Sequence, residues 1–381
     1  MAKKNILFIA MAVLVLIVAA AYWFAGADTR KANALYKEAN GYYYGLGDTL
    51  IDKERAAELY RKSADLGNDV AMVKLGMLYQ LENNGVKRDL SKAVELFRKA
   101  KDAGNTDALY MLGLMYEDGK GVAENKEQAY KLYRQSAEKG NAVGLYKLGR
   151  CFEYGTGVKK DEIRSEDCYK KAFKKLDEQK ENNDEIVWYY LGVCYECKYG
   201  VEKDSVEAVR WYRKAAEKGY VEALFSLANC YVFGNGVEED EQEAIRWFCK
   251  AAEQGDSNAM FFIGEIYECG QGNGQEALRW FRKAAEQGDS FGMYKIGEIY
   301  RYGRGNVEKD VQEAVRWYRK AAELGDASGM YEIGQIYQYG EGNVEKDVQE
   351  ALRWYRKAAT KQRNYYAQEA QKAIKNLGYD E

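Results

Sequence analysis

One short unit of sequence recurs along most of the chain and constrains its fold more than any other feature. Residues Asn306 to Asp326 read NVEKDVQEAVRWYRKAAELGD, and from Asn343 the chain continues NVEKDVQEALRWYRKAAT. Each unit also contains a small residue followed three positions later by an aromatic residue, as in LGMLY and IGEIY. In eight copies, most of them 36 or 37 positions apart, the small residues are Gly76, Gly113, Gly149, Gly192, Ala228, Gly264, Gly297 and Gly334. A degenerate first copy with Ala39 at this position gives nine units, from about Ala32 to Thr360. Such a period predicts an array of stacked repeats.

The pattern within a unit predicts two helices, named here helix A and helix B. In the eighth copy, helix A is predicted over SFGMYKIGEIYRY, where Gly297 leaves room for a neighbouring helix to approach closely. Gly303 follows in a turn and suits a left-handed conformation. Asp310 is predicted to cap helix B, with Glu313 completing a capping box. Gly325 is expected to end that helix in a left-handed conformation.

Helix B carries two apolar stripes at helical spacing. The first stripe consists of Val311, Val315, Tyr318 and Ala322, and the second of Ala314, Trp317 and Ala321. Two stripes require two neighbours, which are the helix A of the same unit and the next unit. This pattern favours an all-α solenoid in which the aromatic residues of RWYRK serve packing.

The recurring residues resemble the Sel1-like repeat family, an αα-hairpin relative of the tetratricopeptide repeat. The frame A/G-x-x-x-LG-x-x-Y-x-x-G-x-G-V-x-x-D-x-x-x-A-x-x-WY-x-KAA-x-x-G is clear from Ala223 to Gly255 and from Gly292 to Gly325. The resemblance covers residues 32–360 and implies an all-α, αα-hairpin repeat solenoid coiled as a right-handed superhelix. The tetratricopeptide period of about 34 residues is absent, and the chain contains no Pro.

Two copies depart from the frame, and a different segment follows the last one. The fourth copy lacks the closing Gly, and residues 170–184, KKAFKKLDEQKENND, are expected to lengthen helix B or its loop. The seventh copy is short in its turn, where Asn273 is expected to take over the cap. Residues 361–381 are interpreted as a capping helix, from Asn364 to about Asn376, and a tail.

The N-terminal segment, residues 1–27, is interpreted as a signal anchor or a signal peptide. Lys3 and Lys4 precede an apolar run over residues 6–24, a length that favours one transmembrane helix before the solenoid. Residues 25–27, Ala-Gly-Ala, match a cleavage site, so a cleaved peptide remains the alternative. Either way the bulk of the chain is expected to be exported. The expected location is the inner membrane with the repeats in the periplasm, or the periplasm alone after cleavage.

Composition excludes several kinds of chemistry. The chain has no His, which removes Ser-His-Asp and Cys-His catalysis and His-ligated metals. Its 57 Lys and Arg against 60 Asp and Glu give a net charge of −3 and no basic footprint for nucleic acid. No phosphate loop or dinucleotide fingerprint occurs. We therefore expect no enzyme activity, no cofactor, no metal site and no nucleic-acid partner.

Two residue types leave alternatives open. Ser136 and Lys139 match S-x-x-K, the nucleophile motif of serine β-lactamases, and the family resemblance includes reports of such activity. A weak cell-wall or β-lactam hydrolase is therefore the alternative function.

Some Sel1-like proteins carry disulfides within repeats, and here Cys151–Cys168 and Cys230–Cys249 would each link the two helices of one hairpin. The irregular spacing of the seven Cys favours buried small hydrophobic residues instead.

The variable positions of helix A are the candidate binding residues. They lie two before, one after and five after the small residue, and we name them the helix A face. From the fourth copy onward they are Lys147, Arg150, Tyr154, Tyr190, Val193, Cys197, Ser226, Asn229, Phe233, Phe262, Glu265, Cys269, Lys295, Glu298, Tyr302, Glu332, Gln335 and Tyr339. Alternatively, the aromatic residues at the fifth position pack into the core.

The predicted function follows from this face. The expectation is a membrane-tethered, exported scaffold that binds a protein or peptide partner on the concave surface of the solenoid. A structural protein of an envelope assembly is a further alternative.

Overall fold

A computed structural model describes residues 26–45, 50–81, 86–270, 272–361 and 364–379. Within these ranges the chain is helical and contains no strand. The α-helices are α1 (26–44), α2 (Lys53–Asp65), α3 (Asp69–Leu78), α4 (Leu90–Asp102), α5 (Thr106–Asp118), α6 (Lys126–Glu138), α7 (Ala142–Tyr154), α8 (Glu162–Gln179), α9 (Glu185–Cys197), α10 (Ser205–Glu217), α11 (Val221–Phe233), α12 (Glu241–Glu253), α13 (Ser257–Glu265), α14 (Gly274–Glu286), α15 (Ser290–Tyr302), α16 (Val311–Glu323), α17 (Ala327–Tyr339), α18 (Val348–Ala359) and α19 (Tyr365–Asn376). Odd-numbered helices up to α17 are helices A, and even-numbered ones are helices B. The predicted all-helical repeat architecture is confirmed.

The small residue of helix A allows close contact with helix B of the same hairpin. A Cβ atom added to Gly297 would lie 2.5 Å from the ring of Tyr318 in α16. The same contact recurs at Gly76 with Phe97 and at Gly334 with Tyr355. Tyr318 is fully buried. The recurring small residue therefore makes room for an aromatic ring packed directly on the backbone of helix A.

The helix ends follow the predicted local rules, with one correction. The carboxylate of Asp310 accepts the backbone N–H of Glu313 at 3.0 Å, as expected of a cap. The second hydrogen bond of the predicted capping box, from the N–H of Asp310 to the side chain of Glu313, is wrong. The N–H of Asp310 donates to the carbonyl of Tyr300 in α15 at 2.8 Å, so it needs no side-chain partner. Glu313 instead accepts the indole N–H of Trp317 at 3.0 Å.

The two stripes of helix B contact two neighbours, as predicted. Val311, Ala314, Val315 and Tyr318 are buried in the core of the last repeats. Trp317 is half-buried and packs against the core that α14 and α15 form. The glycines of the turns also behave as expected, with φ of +67° at Gly303, +55° at Gly305 and +90° at Gly325.

The two irregular copies show how the array absorbs changes in length. In the fourth copy, helix B is lengthened to the 18 residues of α8. In the seventh copy, α13 continues as a short π-helix, Ile266–Gly270. Asn273 then caps α14 by accepting the N–H of Glu276 at 3.2 Å, as predicted. After the last repeat, α19 packs against α17 and α18.

The chain divides into two compact units. Unit 1 comprises Met1–Ala223 and Asn235–Val237, and unit 2 comprises Leu224–Gly234 and Glu238–Glu381. None of the helices in the described ranges is both long enough and apolar enough to cross a membrane. The apolar run over residues 6–24 lies outside the described residues.

Candidate functional site

In unit 2, the helix A face of three successive repeats is joined by ion pairs. The ammonium of Lys295 in α15 lies 2.9 Å from Glu265 in α13 and 3.6 Å from Glu298 on its own helix. Glu332 in α17 pairs with Arg301 in α15. The structure therefore brings Glu265, Lys295, Glu298 and Glu332 onto adjacent helices, but as partners in a network rather than as free side chains.

Four further residues complete this network and were missed by the sequence analysis. Arg301 also binds Glu341, with its Nε 2.9 Å from the carboxylate. Arg304 lies 2.8 Å from Glu268 and 3.8 Å from Glu298. We name the eight residues the ion-pair network; they are Glu265, Glu268, Lys295, Glu298, Arg301, Arg304, Glu332 and Glu341.

Burial governs the electrostatics of the network. Arg301 is almost fully buried. Burial raises the pKa of Glu332, although the charge and hydrogen bond of Arg301 act in the opposite direction. The hydrogen bond from Arg301 lowers the pKa of the more exposed Glu341. Arg301 is thus the main group that stabilises the buried carboxylate of Glu332.

A sequence signal for the network exists at the fourth position after the small residue. In three copies this position holds a Glu that accepts a hydrogen bond from the hydroxyl of the helix B Tyr, as Glu117 does from Tyr133 at 2.6 Å. Gln338 accepts from Tyr355 in the same way. In the seventh copy helix B has Phe281 in place of Tyr, and Glu268 is released to pair with arginine. In the eighth copy the position is Arg301, and the buried hydroxyl of Tyr318 has no hydrogen-bond partner among the described residues.

Unit 1 presents a different version of the helix A face. Lys147 and the buried Tyr190 lie close together, with the ammonium 6.0 Å from the ring centroid. The guanidinium of Arg150 lies 5.3 Å from the ring centroid of Tyr154. Val193 is buried, so this position belongs to the core in the fifth copy.

Aromatic side chains at the fifth position of the face are exposed. The exposed fractions are 60% for Tyr154, 64% for Phe233, 51% for Tyr302 and 65% for Tyr339. The alternative that these residues pack into the core is therefore wrong. They lie at the end of helix A, beyond the reach of helix B.

The remaining residues of the face are partly engaged. Phe262 is half-buried against Phe225 and Phe248, with ring centroids 5.4 and 5.7 Å away. Gln335 donates to the hydroxyl of Tyr331 at 2.8 Å. Ser226 and Asn229 are half-buried, whereas Cys197 and Cys269 are exposed.

An unexpected cluster joins the first and fifth repeats of unit 1. The carboxylate of Glu185, at the start of α9, accepts from Tyr44 at 2.5 Å and from Lys74 at 2.7 Å. Burial acts to raise the pKa of Glu185, but Lys74 and Tyr44 outweigh it and hold the pKa below its ordinary value. Because Tyr44 and Glu185 are 141 positions apart, unit 1 closes on itself. No local pattern predicts this contact.

Comparison with known proteins identifies the repeat. The model of the Sel1 repeat matches the chain nine times, at residues 32–68, 69–105, 106–141, 142–175, 189–220, 221–256, 257–289, 290–326 and 327–362. This chain belongs to the Sel1 repeat family. The resemblance inferred from the sequence is confirmed.

Two solved Sel1-type structures illustrate the relationship. A protective antigen present in uropathogenic Escherichia coli strains, described as displaying an SLR fold, is 33% identical. The match covers 91% of this chain and 72% of that chain, with a TM-score of 0.49. A Sel1 repeat protein from Oxalobacter formigenes is 27% identical over 84% of this chain and 89% of that chain, with a TM-score of 0.46. No curated protein matches the chain.

The Sel1 packing accounts for the β-lactamase-like motif. Ser136 is fully buried, and its hydroxyl donates to the carbonyl of Thr106 at 3.0 Å. Ser63 occupies the equivalent position in the first Sel1 repeat and donates to the carbonyl of Ala32 at 2.7 Å. Both hydroxyls donate to a backbone carbonyl of helix A in their own hairpin. The structure thus gives Ser136 a packing role and no access to a substrate.

The seven cysteines, all within the described residues, are free thiols. Neither Cys151–Cys168 nor Cys230–Cys249 is bonded, so the disulfide interpretation is wrong for this structure. Burial raises the pKa of Cys151 to about 12 and that of Cys168 to about 11, which disfavours the reactive thiolate. Among the described residues, no group of acidic or Cys side chains could hold a metal ion.

Proposed function

We propose that this Sel1 repeat protein is a non-enzymatic scaffold that binds a protein partner through the helix A face. The observation that carries the proposal is the recurrence of exposed aromatic residues at one frame position, Tyr154, Phe233, Tyr302 and Tyr339. Exposed apolar groups that recur together mark interaction surfaces, and Tyr is enriched among the anchors of protein interfaces.

The surroundings of these residues favour a partner segment with both charged and apolar side chains. Tyr302 lies beside Arg301 and Arg304, whose guanidinium carbons are 5.3 and 5.2 Å from its ring centroid. Acidic members of the ion-pair network lie on the same helices. An extended peptide or an amphipathic helix with complementary charges matches this combination better than nucleic acid does.

The location of the scaffold is part of the proposal. Residues 6–24 are long and apolar enough for a signal anchor, which would hold the repeats on the outer side of an inner membrane. A cleaved signal peptide would release the same repeats into the periplasm. In either case the partner would be an envelope or exported protein.

Capture of the partner from native cells tests this function. The tagged full chain is crosslinked, fractionated into membrane and soluble periplasmic material, and compared with the Tyr302→Ala/Tyr339→Ala variant. We expect the variant to lose most of the captured partner and to keep its helicity. Phe291→Ala is the matched control, because Phe291 is 62% exposed on α15 but lies outside the face.

The outcomes separate the alternatives. Equal capture by the double variant would refute the role of the face. Capture of other copies of this chain alone would indicate a structural envelope assembly. The fraction that contains the complex distinguishes the anchored form from the cleaved form.

A further inference from the structure

Unit 1 encloses a cavity of about 240 Å³. Its wall includes the aromatic and apolar side chains of Tyr43, Tyr110, Tyr190, Tyr220 and Met111, together with charged residues. Pockets that enclose drug-sized ligands measure about 300–1,000 Å³. This cavity therefore has room for a group about as large as one amino-acid residue.

Lys147 lines this cavity without forming an ion pair within the described part of the chain. Its ammonium lies 5.9 and 6.0 Å from the ring centroids of Tyr146 and Tyr190, and no carboxylate within the described part of the chain lies at ion-pair distance. Lys74 differs, because it pairs with Glu185 at 2.7 Å. Burial and the charge of Arg150 lower the pKa of Lys147, although the more distant carboxylates of Glu117, Asp118 and Glu222 act in the opposite direction. A buried cation without a counter-ion is unfavourable, and an anion bound beside it would relieve that cost.

The other charged groups around the cavity already have partners. Asp118 and Lys120 at the rim form an ion pair of 2.8 Å. Glu222 also has a partner. Among the described residues, the hydroxyl of Tyr110 is buried without a hydrogen-bond partner, and Tyr110 lines the cavity. The described wall of the cavity therefore includes one ammonium without an ion pair, that of Lys147, and one hydroxyl without a hydrogen-bond partner, that of Tyr110.

We propose that this cavity binds a carboxylate attached to an apolar or aromatic group of about the size of one amino-acid residue. The carboxylate pairs with Lys147, and the apolar group contacts the Tyr and Met side chains. A singly charged anion fits better than a phosphate, because the two cations of the described lining are Lys147 and Lys120, and Lys120 is already paired with Asp118. The inference goes beyond the proposed scaffold function and does not depend on it, although Lys147 and Tyr190 belong to the helix A face.

Calorimetric titration of the full chain tests the proposal. The probes are N-acetyl-L-phenylalanine, N-acetyl-L-leucine and the amides of both. We expect at least one acid to bind about tenfold or more tightly than its amide, since charge-assisted hydrogen bonds to Lys147 are lost in the amide. Equal affinities for acid and amide, or no binding of either acid, would overturn the proposal.

Two variants locate the binding group. Lys147→Met should remove the preference for the acid, whereas Lys131→Met, at an exposed lysine outside the cavity lining, should retain it within about twofold. A preference that survives Lys147→Met would refute the assignment. The acid and amide comparison uses the unaltered protein, so it stands even if a variant fails to fold.

A further probe distinguishes two sources of such a carboxylate. N-acetyl-Gly-Gly-Phe presents the same residue at the end of a peptide. Tighter binding of this peptide than of N-acetyl-L-phenylalanine indicates a polypeptide C-terminus as the ligand, and weaker or equal binding indicates a free small carboxylate. Both results support the carboxylate site.

Discussion

Substitution of Gly297 by Val is expected to lower the free energy of unfolding by at least about 2 kcal/mol, as overpacking of a filled core does. The added Cβ alone would lie 2.5 Å from the Cε1 atom of Tyr318, and that ring is fully buried between its neighbours. The Tyr ring is stiff and fully buried, so we expect the added side chain to push the two helices apart. Thermal or denaturant unfolding of the variant measures the loss.

A double-mutant cycle isolates this contact. In a Tyr318→Leu background the ring is absent, and Gly297→Val should cost at least about 1 kcal/mol less than in the native background. Gln312→Ala, an exposed change on the same helix B, should alter stability by less than about 0.5 kcal/mol. An equal cost in both backgrounds would show that the small residue has another purpose.

Arg301→Met is expected to cost about 3–5 kcal/mol, the usual penalty for removing one partner of a buried ion pair. Arg301 is 4% exposed and binds both Glu332 and Glu341. Its removal leaves the carboxylate of Glu332 buried, and burial already raises the pKa of that group. The free energy of unfolding at neutral pH checks this expectation.

Two comparisons make the test specific. Arg316→Met breaks an exposed pair with Glu313, 2.9 Å apart, and should cost less than about 1 kcal/mol. The double variant Arg301→Gln/Glu332→Gln should recover most of the loss. This double variant removes the buried charge. In addition, the amide at position 301 can accept a hydrogen bond from the hydroxyl of Tyr318, as Gln338 does from Tyr355 at 2.6 Å. Equal losses for Arg301→Met and Arg316→Met would contradict a structural role for the network.

The parts of the structure that the sequence predicts are those set by local rules. Gly297, the Asp310 cap and the left-handed Gly325 repeat at fixed offsets, because each depends on neighbours within one hairpin. The partner of the Asp310 N–H was missed, because helix A of the same hairpin supplies a carbonyl that no side-chain motif reveals.

The candidate site was predictable only as a set of positions. Their contacts depend on side chains about one repeat away, as between Arg301 and Glu332, or four repeats away, as between Tyr44 and Glu185. Glu332 and Tyr190 were expected to face a partner and are buried instead. The exchange of Tyr for Phe281 in helix B, opposite Glu268, was a usable signal that a comparison of repeat copies could have found.

Site-specific photo-crosslinking tests the central claim that partner binding belongs to the variable positions of helix A. A photoreactive residue is placed in the full chain at Tyr302 or Tyr339, or at the exposed helix B positions Arg316 or Arg353. We expect a discrete protein adduct in native cells from the helix A positions and none from the helix B positions. Adducts from Arg316 and Arg353 with none from Tyr302 and Tyr339 would contradict it.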